Sequence, residues 1–300
     1  MKKILLVFSL MLLSFMMISC EKKLKNQIKI ITPAGTPYLA IGGLLDEKNI
    51  SIEAVNGAAN LQTALVANEY DIVIAPINLG AQLYKKGNSK YKAAAIITQN
   101  NAYLVAKDGA KLDSWEDLIG EKVLAFGQTG IPGKLLTNFY NSHEELNIND
   151  VSFVYSSSVE CYSAFITSSE KYALISEPEV SKLNLVNNMV VKTYDLTQDY
   201  GDVPQACIFI NPSSNKESIN LVLDMISDNI KYLNDNALQY ANKVVKLERR
   251  FEVMGVELIK TVIPTINIVY QKASDAKTKE AILRTLNLVG APNPGEEFYY

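Results

Sequence analysis

From residue 27 onward the chain alternates short apolar runs with amphipathic stretches, and this alternation predicts an α/β architecture. Gln27–Thr32 reads as a strand that stops at Pro33-Ala34-Gly35. Thr36 followed by Pro37 marks a helix start, with a hydroxyl at the N-cap and proline at the first helical position, running to about Leu45. Ile50–Val55 is the next strand, ending at Asn56-Gly57, and Ala58–Asn68 is helical with Leu61 and Leu65 on one face. Tyr70–Ala75 is a third strand stopped by Pro76, and Asn78–Lys86 a short helix closed by Gly87. Lys92–Ile97 and Tyr103–Ala106 follow as strands.

A second series then repeats this order. Ser114-Trp115-Glu116-Asp117 is a capped short helix ending at Gly120, where Trp115 packs the helix against its surroundings. Lys122–Phe126 is a strand, Gly127–Gly133 a loop, and a helix runs from there to about Asn141. Val151–Tyr155, Val159–Thr167 and Tyr172–Ile175 read as strand, helix and strand; Pro178 starts a further helix and Met189–Thr193 is strand-like. Residues 27–97 and 122–193 therefore carry the same sequence of elements, as two half-molecules built alike. After a strand at Gln205–Ile210, the stretch Ser213–Leu288 reads as largely helical, with Pro264 its main interruption. No low-complexity linker separates the halves, so crossing strands are expected to join them.

The first nineteen residues stand apart. Lys2 and Lys3 precede an apolar run, Ile4–Ile18, broken only by Ser9 and Ser14 and followed at once by Glu21, Lys22, Lys23 and Lys25. A membrane span needs ~20 apolar residues, so the run reads as a secretion signal. Met17-Ile18-Ser19-Cys20 resembles a bacterial lipobox, with Met17 in place of the usual leucine; it implies cleavage after residue 19 and lipid on Cys20. The competing account is an uncleaved anchor helix with an incidental cysteine.

Composition narrows the chemistry. The net charge of −3 comes with no basic tract, which argues against nucleic acid as a partner. Beyond Cys20 only Cys161 and Cys207 remain, too few for a disulfide framework; two buried thiols are expected, with a single bridge as the alternative. His143 is the one histidine, in a polar stretch, so catalysis or metal binding built on imidazole is disfavoured. No metal and no cofactor are expected.

Several stretches in this order resemble a known family: Pro33-Ala34-Gly35-Thr36-Pro37, Asn56-Gly57-Ala58, Tyr70–Pro76, Trp115–Val123, Ala173–Val180 and Pro204-Gln205-Ala206-Cys207. Together, with the lipobox in front, they resemble the nitrate/taurine (sulfonate)-type solute-binding proteins of ABC importers, a group that includes binders of thiamine precursors. The resemblance implies the two-lobed type II periplasmic-binding-protein fold, each lobe a mostly parallel sheet flanked by helices. The expected division is signal peptide 1–19, lipidated Cys20 and linker 20–26, lobe 1 from 27–104 and 206–300, and lobe 2 from 105–205. The hinge crossings are expected near Tyr103–Lys107 and Asp202–Cys207. It further implies a monomer with a small-molecule ligand, permease subunits as partners, and attachment to the outer face of the cell membrane.

Ligands of open α/β sheets bind at the carboxyl ends of the strands, where helix N-termini present free N–H groups. That rule selects Thr36, Asn56, Gly57, Ala58 and Asn78 on the first lobe, with Tyr38 beside them. On the second lobe it selects Gln128, Thr129, Gly130, Ser157 and Glu177, with Phe126 adjacent. Ordinary helix capping is the competing account for Thr36, Ser158 and Asn78, and turn geometry for Gly57 and Gly130. Arg249, Arg250 and Arg284 are the only arginines, and all fall in the C-terminal helical segment. With Glu177 in a cleft loop and no guanidinium beside one, a neutral or cationic ligand is expected. The competing functions are an enzyme on the same fold, as in some menaquinone- and pyrimidine-forming proteins, and a sensor or lipoprotein without a transporter.

Overall fold

The computed structural model describes Leu24 and residues 26–142, 147–198 and 200–300; the apolar leader, Cys20 and His143 lie outside the described residues. The first unit comprises β1 (Ile28–Pro33), α1 (Thr36–Ile41), β2 (Ile50–Val55), α2 (Ala58–Ala67), β3 (Ile72–Pro76), α3 (Ile77–Lys85) and β4 (Lys92–Gln99). After β5 (Tyr103–Lys107) the second unit repeats that order. It runs β6 (Lys122–Phe126), α4 (Ile131–Ser142), β7 (Ser152–Ser156), α5 (Ser158–Thr167), β8 (Tyr172–Ile175), α6 (Glu179–Leu185) and β9 (Val191–Asp195). β10 (Pro204–Ile210) leads into α7 (Lys216–Asp235), α8 (Ala237–Val244), α9 (Arg249–Met254) and α10 (Val256–Val262). β11 (Ile268–Lys272) and α11 (Ala276–Leu288) complete the chain.

Among the described residues the strands form two sheets, β11-β4-β10-β3-β1-β2 and β7-β6-β8-β5-β9. In each, the first strand of its unit lies between the second and third, and one strand delivered by the crossing chain separates the third from the fourth. That strand is β10 in the first sheet and β5 in the second, each antiparallel to both its neighbours in its unit. The strands of each unit share one direction: β1 to β4 in the first sheet and β6 to β9 in the second. Both sheets are thus mixed, with four strands of each running one way, not mostly parallel as expected, because the strand delivered by the crossing chain interrupts each parallel set. The carboxyl ends of those four strands carry the loops expected to bind ligand.

Burial follows the pattern of side chains. β4 reads Lys-Ala-Ala-Ala-Ile-Ile-Thr-Gln and is buried from Ala93 onward, as a strand covered on both faces must be. One face of the first sheet packs on α1 and on α7 to α10, through Ile30, Ile74, Ile97, Ile208, Val222, Ile226 and Ile259. α7 buries Ile219, Val222, Leu223, Ile226, Ile230 and Leu233, a helical stripe, and is capped by Asn215, whose side chain accepts from Ser218 N–H. The other face belongs to an apolar cluster that continues through Ala102, Leu196 and Val203 into the second lobe. There α11 meets α4, and Asn138 Nδ2 donates to the Leu288 carbonyl. The far face of the second sheet has its own small core around Cys161, Phe165, Ile175 and Leu183.

Three expectations change. The first helix ends at Ile41, and a single 3-10 turn, Gly42–Leu44, finishes it. The break coincides with close packing, since a Cβ on Gly43 would lie 1.9 Å from Asn229 Oδ1. β11 falls inside the stretch read as helical; Ile268-Val269-Tyr270 has the β-branched and aromatic character of a strand and adds antiparallel to β4 at the sheet edge. The crossings are residues 100–102 and 196–203, because Tyr103 already pairs with Ile175 and Asp195, and Ala206 with Pro76. The crossings bond to each other: Asn100 N–H donates to Val203 O at 3.1 Å, and Val203 N–H to Asn100 Oδ1 at 2.6 Å. Cys161 and Cys207 are the two buried, free thiols expected. Trp115 behaves as expected, with its ring centroid 3.9 Å from that of Phe139 in an aromatic group with Tyr140 and Tyr194.

Candidate ligand cleft

The carboxyl ends of the two sheets meet, and polar contacts between them identify the residues at the junction. Thr36 stands at the start of α1, where Gly35 occupies the N-cap position, so its hydroxyl is free of capping. That hydroxyl instead donates across the junction to the Glu177 carbonyl at 3.0 Å. Asn101, in the first crossing, ties the pair together. Its Oδ1 accepts from Glu177 N–H at 2.7 Å, while its Nδ2 lies 3.2 Å from Thr36 Oγ1 and 3.3 Å from Glu177 O. A second bridge lies one loop away: Asn78 Nδ2 donates to the Thr129 carbonyl at 3.2 Å. Asn78 is not an N-cap either; Pro76 holds that position and Asn78 sits inside the first turn of α3.

Glu177 acts through its backbone at this junction. Its carboxylate turns back onto α6, accepting from Ser181 N–H and from Ser181 Oγ, each at 2.9 Å. Burial lifts this carboxyl above its ordinary range, and the two bonds from Ser181 oppose that rise; nearby Glu179 adds to it, and a contact with Thr265 lowers it slightly. The peptide between Glu177 and Pro178 is cis. Tyr103, at the start of β5, lies close enough to Asp195 and Glu177 that burial and then these carboxylates push its phenol up to about 12.

The other expected site residues divide. Asn56, Gly57 and Ala58 end β2 in an exposed loop, and Gln128, Thr129 and Ser157 are exposed on the second lobe. Gln128 lines an open cavity of about 740 Å³ beside α4 and β7, together with Lys134, Phe153 and Tyr155. Ser157, and not Ser158, caps α5, in a capping box with Glu160. In the loop before α4, Gly127 rather than Gly130 adopts the left-handed conformation, at φ 71°, and a Cβ on Gly133 would meet Gly127 O at 2.6 Å. Tyr38 is a core residue: it is 3% exposed, its ring lies 4.9 Å from that of Phe251, and its hydroxyl donates to Glu248. Gln99, Asn101, Tyr103 and Gln205 reach the junction without having been singled out. For Gln99 and Asn101 the signal is the polar run Thr98-Gln99-Asn100-Asn101, which closes an otherwise apolar strand.

Arg250 Nη1 donates to the Ala54 carbonyl at 3.1 Å, near the end of β2 and over the Tyr38 ring. Arg284 Nη2 donates to Asp202 O at 2.9 Å in the second crossing. Both guanidiniums therefore lie beside the junction, brought there by helices distant in sequence. Neither is buried; among the described residues no lysine or arginine is. Among the described residues no helix is long and apolar enough to cross a membrane, and no group of three or more His, Cys, Asp or Glu could hold a metal ion.

Neither a protein-family model nor a curated protein sequence matches the chain. Solved structures do. A protein from Parabacteroides distasonis described as an ABC transporter superposes with a TM-score of 0.73 at 21% identity, over 92% of this chain and 99% of its own. The zinc-bound ligand-binding component of an ABC-type import system from Staphylococcus aureus gives 0.72 at 14% identity, over 92% and 97%. The periplasmic aliphatic sulphonate-binding protein SsuA of Escherichia coli gives 0.68 at 14%, over 88% and 91%. At these identities the likeness is one of architecture, and the chain has the two-lobed periplasmic-binding-protein fold of its structural neighbours among ABC-transporter binding proteins.

Proposed function

We propose that this chain is the extracytoplasmic solute-binding component of an ABC importer, held to the membrane by lipid on Cys20 and closing its lobes around a small polar molecule. The observation that carries the reading is the pair of like-built sheets, joined by two short crossings, whose carboxyl ends face each other and touch through Thr36–Glu177 and Asn78–Thr129. Strand ends of this kind gather helix N-termini and free backbone groups from both sides, and hinge bending between them buries what lies there. In this reading lobe 1 is residues 27–99 and 204–300, and lobe 2 is residues 103–195. The candidate contacts are Thr36, Asn56, Gly57, Ala58, Asn78, Gln128, Thr129, Gly130, Ser157 and Glu177. The neighbours' roles as ligand-binding components of import systems, one of them for sulfonates, support the class of function.

The test is native mass spectrometry of the purified chain to identify what co-purifies, followed by small-angle scattering with and without that compound. A co-purified solute whose removal raises the radius of gyration is the expected result. Chemical turnover of the bound compound would transfer the protein to the enzymes of this fold.

A further inference from the structure

Three side-chain amides at the junction end of the first sheet carry a buried polar atom with no protein partner: Asn78 Oδ1, Gln99 Oε1 and Gln205 Nε2. The strand register places them at one corner. Gln99 ends β4 and pairs with Pro204, the residue before Gln205; Ala206, the residue after, pairs with Pro76, two residues before Asn78. Asn78 is 4% exposed and Gln99 9%. Their remaining atoms are engaged at the junction and the hinge, Asn78 Nδ2 with Thr129 O and Gln99 Nε2 with Asp202 Oδ1. Folded proteins pair nearly all such buried atoms. The other three unpartnered atoms, Tyr140 OH, Thr285 Oγ1 and Tyr299 OH, belong to α4, α11 and the C-terminus. The junction corner alone gathers amides.

We propose that this corner is a ligand subsite for an uncharged molecule with an amide-like edge, N–H beside C=O, such as a lactam, a urea, a primary amide or the edge of a pyrimidine base. The proposal rests on the receptor reading above and gives the chemical class of its ligand. Asn78 Oδ1 and Gln99 Oε1 accept from N–H groups, and Gln205 Nε2 donates to a carbonyl. An anion placed there would face two amide oxygens with no buried lysine or arginine to neutralise it. Cations beside the junction are already engaged: Arg250 bonds Ala54 O, Arg284 bonds Asp202 O, and Lys277 pairs with Asp202 Oδ2 at 3.7 Å. A ligand at this corner touches the ends of both crossings, through Gln99 and Gln205, so its binding acts directly on the hinge.

Calorimetric titration of the mature chain with uracil, cytosine and nicotinamide, and separately with ethanesulfonate and nitrate, tests the class. The same titrations on Gln99→Leu and Gln205→Leu test the residues. Gln205→Leu is the stability control, because the buried Nε2 it removes has no protein partner, whereas Gln99→Leu also removes the Nε2 bond to Asp202 Oδ1. The expected pattern is therefore an unaltered or higher melting temperature in Gln205→Leu, with about a tenfold or greater loss of affinity for the uncharged probe in both variants. A melting temperature that falls by several degrees in Gln205→Leu would mean that this amide is structural, and would overturn the proposal. Anion binding that both variants leave intact overturns it too, while the receptor reading stands. If neither probe set binds and nothing co-purifies in the cleft, the receptor reading itself fails and the subsite with it.

Discussion

Asn101→Ala tests whether the junction is a closed state held by the hinge. The side chain is buried, and its removal deletes the bonds from Glu177 N–H to Oδ1 and from Nδ2 to Thr36 Oγ1 and Glu177 O, while Thr36 keeps its own bond to Glu177 O. Two neutral hydrogen bonds contribute about 1 kcal/mol each, and the third Nδ2 contact shares its donor. With the lobes shut, the Glu177 N–H also loses its acceptor and stays buried, which adds ~1–3 kcal/mol. If the lobes part, water reaches that N–H and the second cost is avoided, while water also replaces the Thr36–Glu177 and Asn78–Thr129 bonds. The variant then differs from wild type by the first ~2 kcal/mol. The lower-cost response is opening, not unfolding. A ligand selective for the closed form should then lose about 30-fold in affinity for a ~2 kcal/mol shift in the closing equilibrium. Scattering should show a larger radius of gyration in the variant, and hydrogen exchange should quicken at residues 100–102 and 196–203. An unchanged scattering profile together with an unfolding free energy within about 0.5 kcal/mol of wild type would refute the reasoning.

Three further outcomes are expected. A carboxyl whose folded pKa is raised stabilises the fold fully below its unfolded value and loses that contribution as pH rises through the folded one; burial raises Glu177 in this way. Wild type should therefore lose stability relative to Glu177→Gln, which keeps a partner for Ser181, as pH rises above the ordinary carboxylate range at ~4.3. A difference in unfolding free energy between the two, read from urea titrations, that stays constant with pH would contradict this. Gly80→Ala would place its Cβ 2.1 Å from Phe209 Cζ, between α3 and β10, and should cost ~1–3 kcal/mol by overpacking, read from the denaturant midpoint. Cys20→Ala should release the protein from membranes or leave it uncleaved; a variant that fractionates with membranes at mature size argues against lipidation.

The fold was legible because its signals are local. Two runs of alternating apolar strands and amphipathic helices, each punctuated by glycine or proline, specify two like units. Lys122–Phe126 and Tyr172–Ile175 match their expected limits to the residue. β11 was hidden because five strand residues between helices bury little of their own, and they become a strand only by adding to the edge at β4. The crossings lay a few residues off for a related reason: where a strand leaves one sheet for the other is fixed by its pairing partners, which no local pattern shows. Of the expected contacts, Thr36, Asn78, Thr129 and Glu177 meet at the junction. Tyr38 does not, because Phe251 and Glu248, more than two hundred residues away, claim its ring and its hydroxyl.

The charge of the ligand shows how far residue-type arguments reach. The sequence places every arginine in the C-terminal helices, and that alone suggests a cleft without guanidinium. Packing reverses the premise, since α9 returns Arg250 to the end of β2 and α11 sets Arg284 on the second crossing. Glu177, the carboxylate expected to disfavour anions, is meanwhile spent on Ser181. An uncharged ligand therefore rests on different ground. What counts at a buried site is the set of groups that stay unpaired after folding, and here those groups are amides of Asn78, Gln99 and Gln205. Exposed guanidiniums already bonded to carbonyl oxygens can steer an approaching solute, yet they add little once it is buried beside atoms that need donors and acceptors of their own. The corner of three amides, and not the count of arginines, is what selects the ligand.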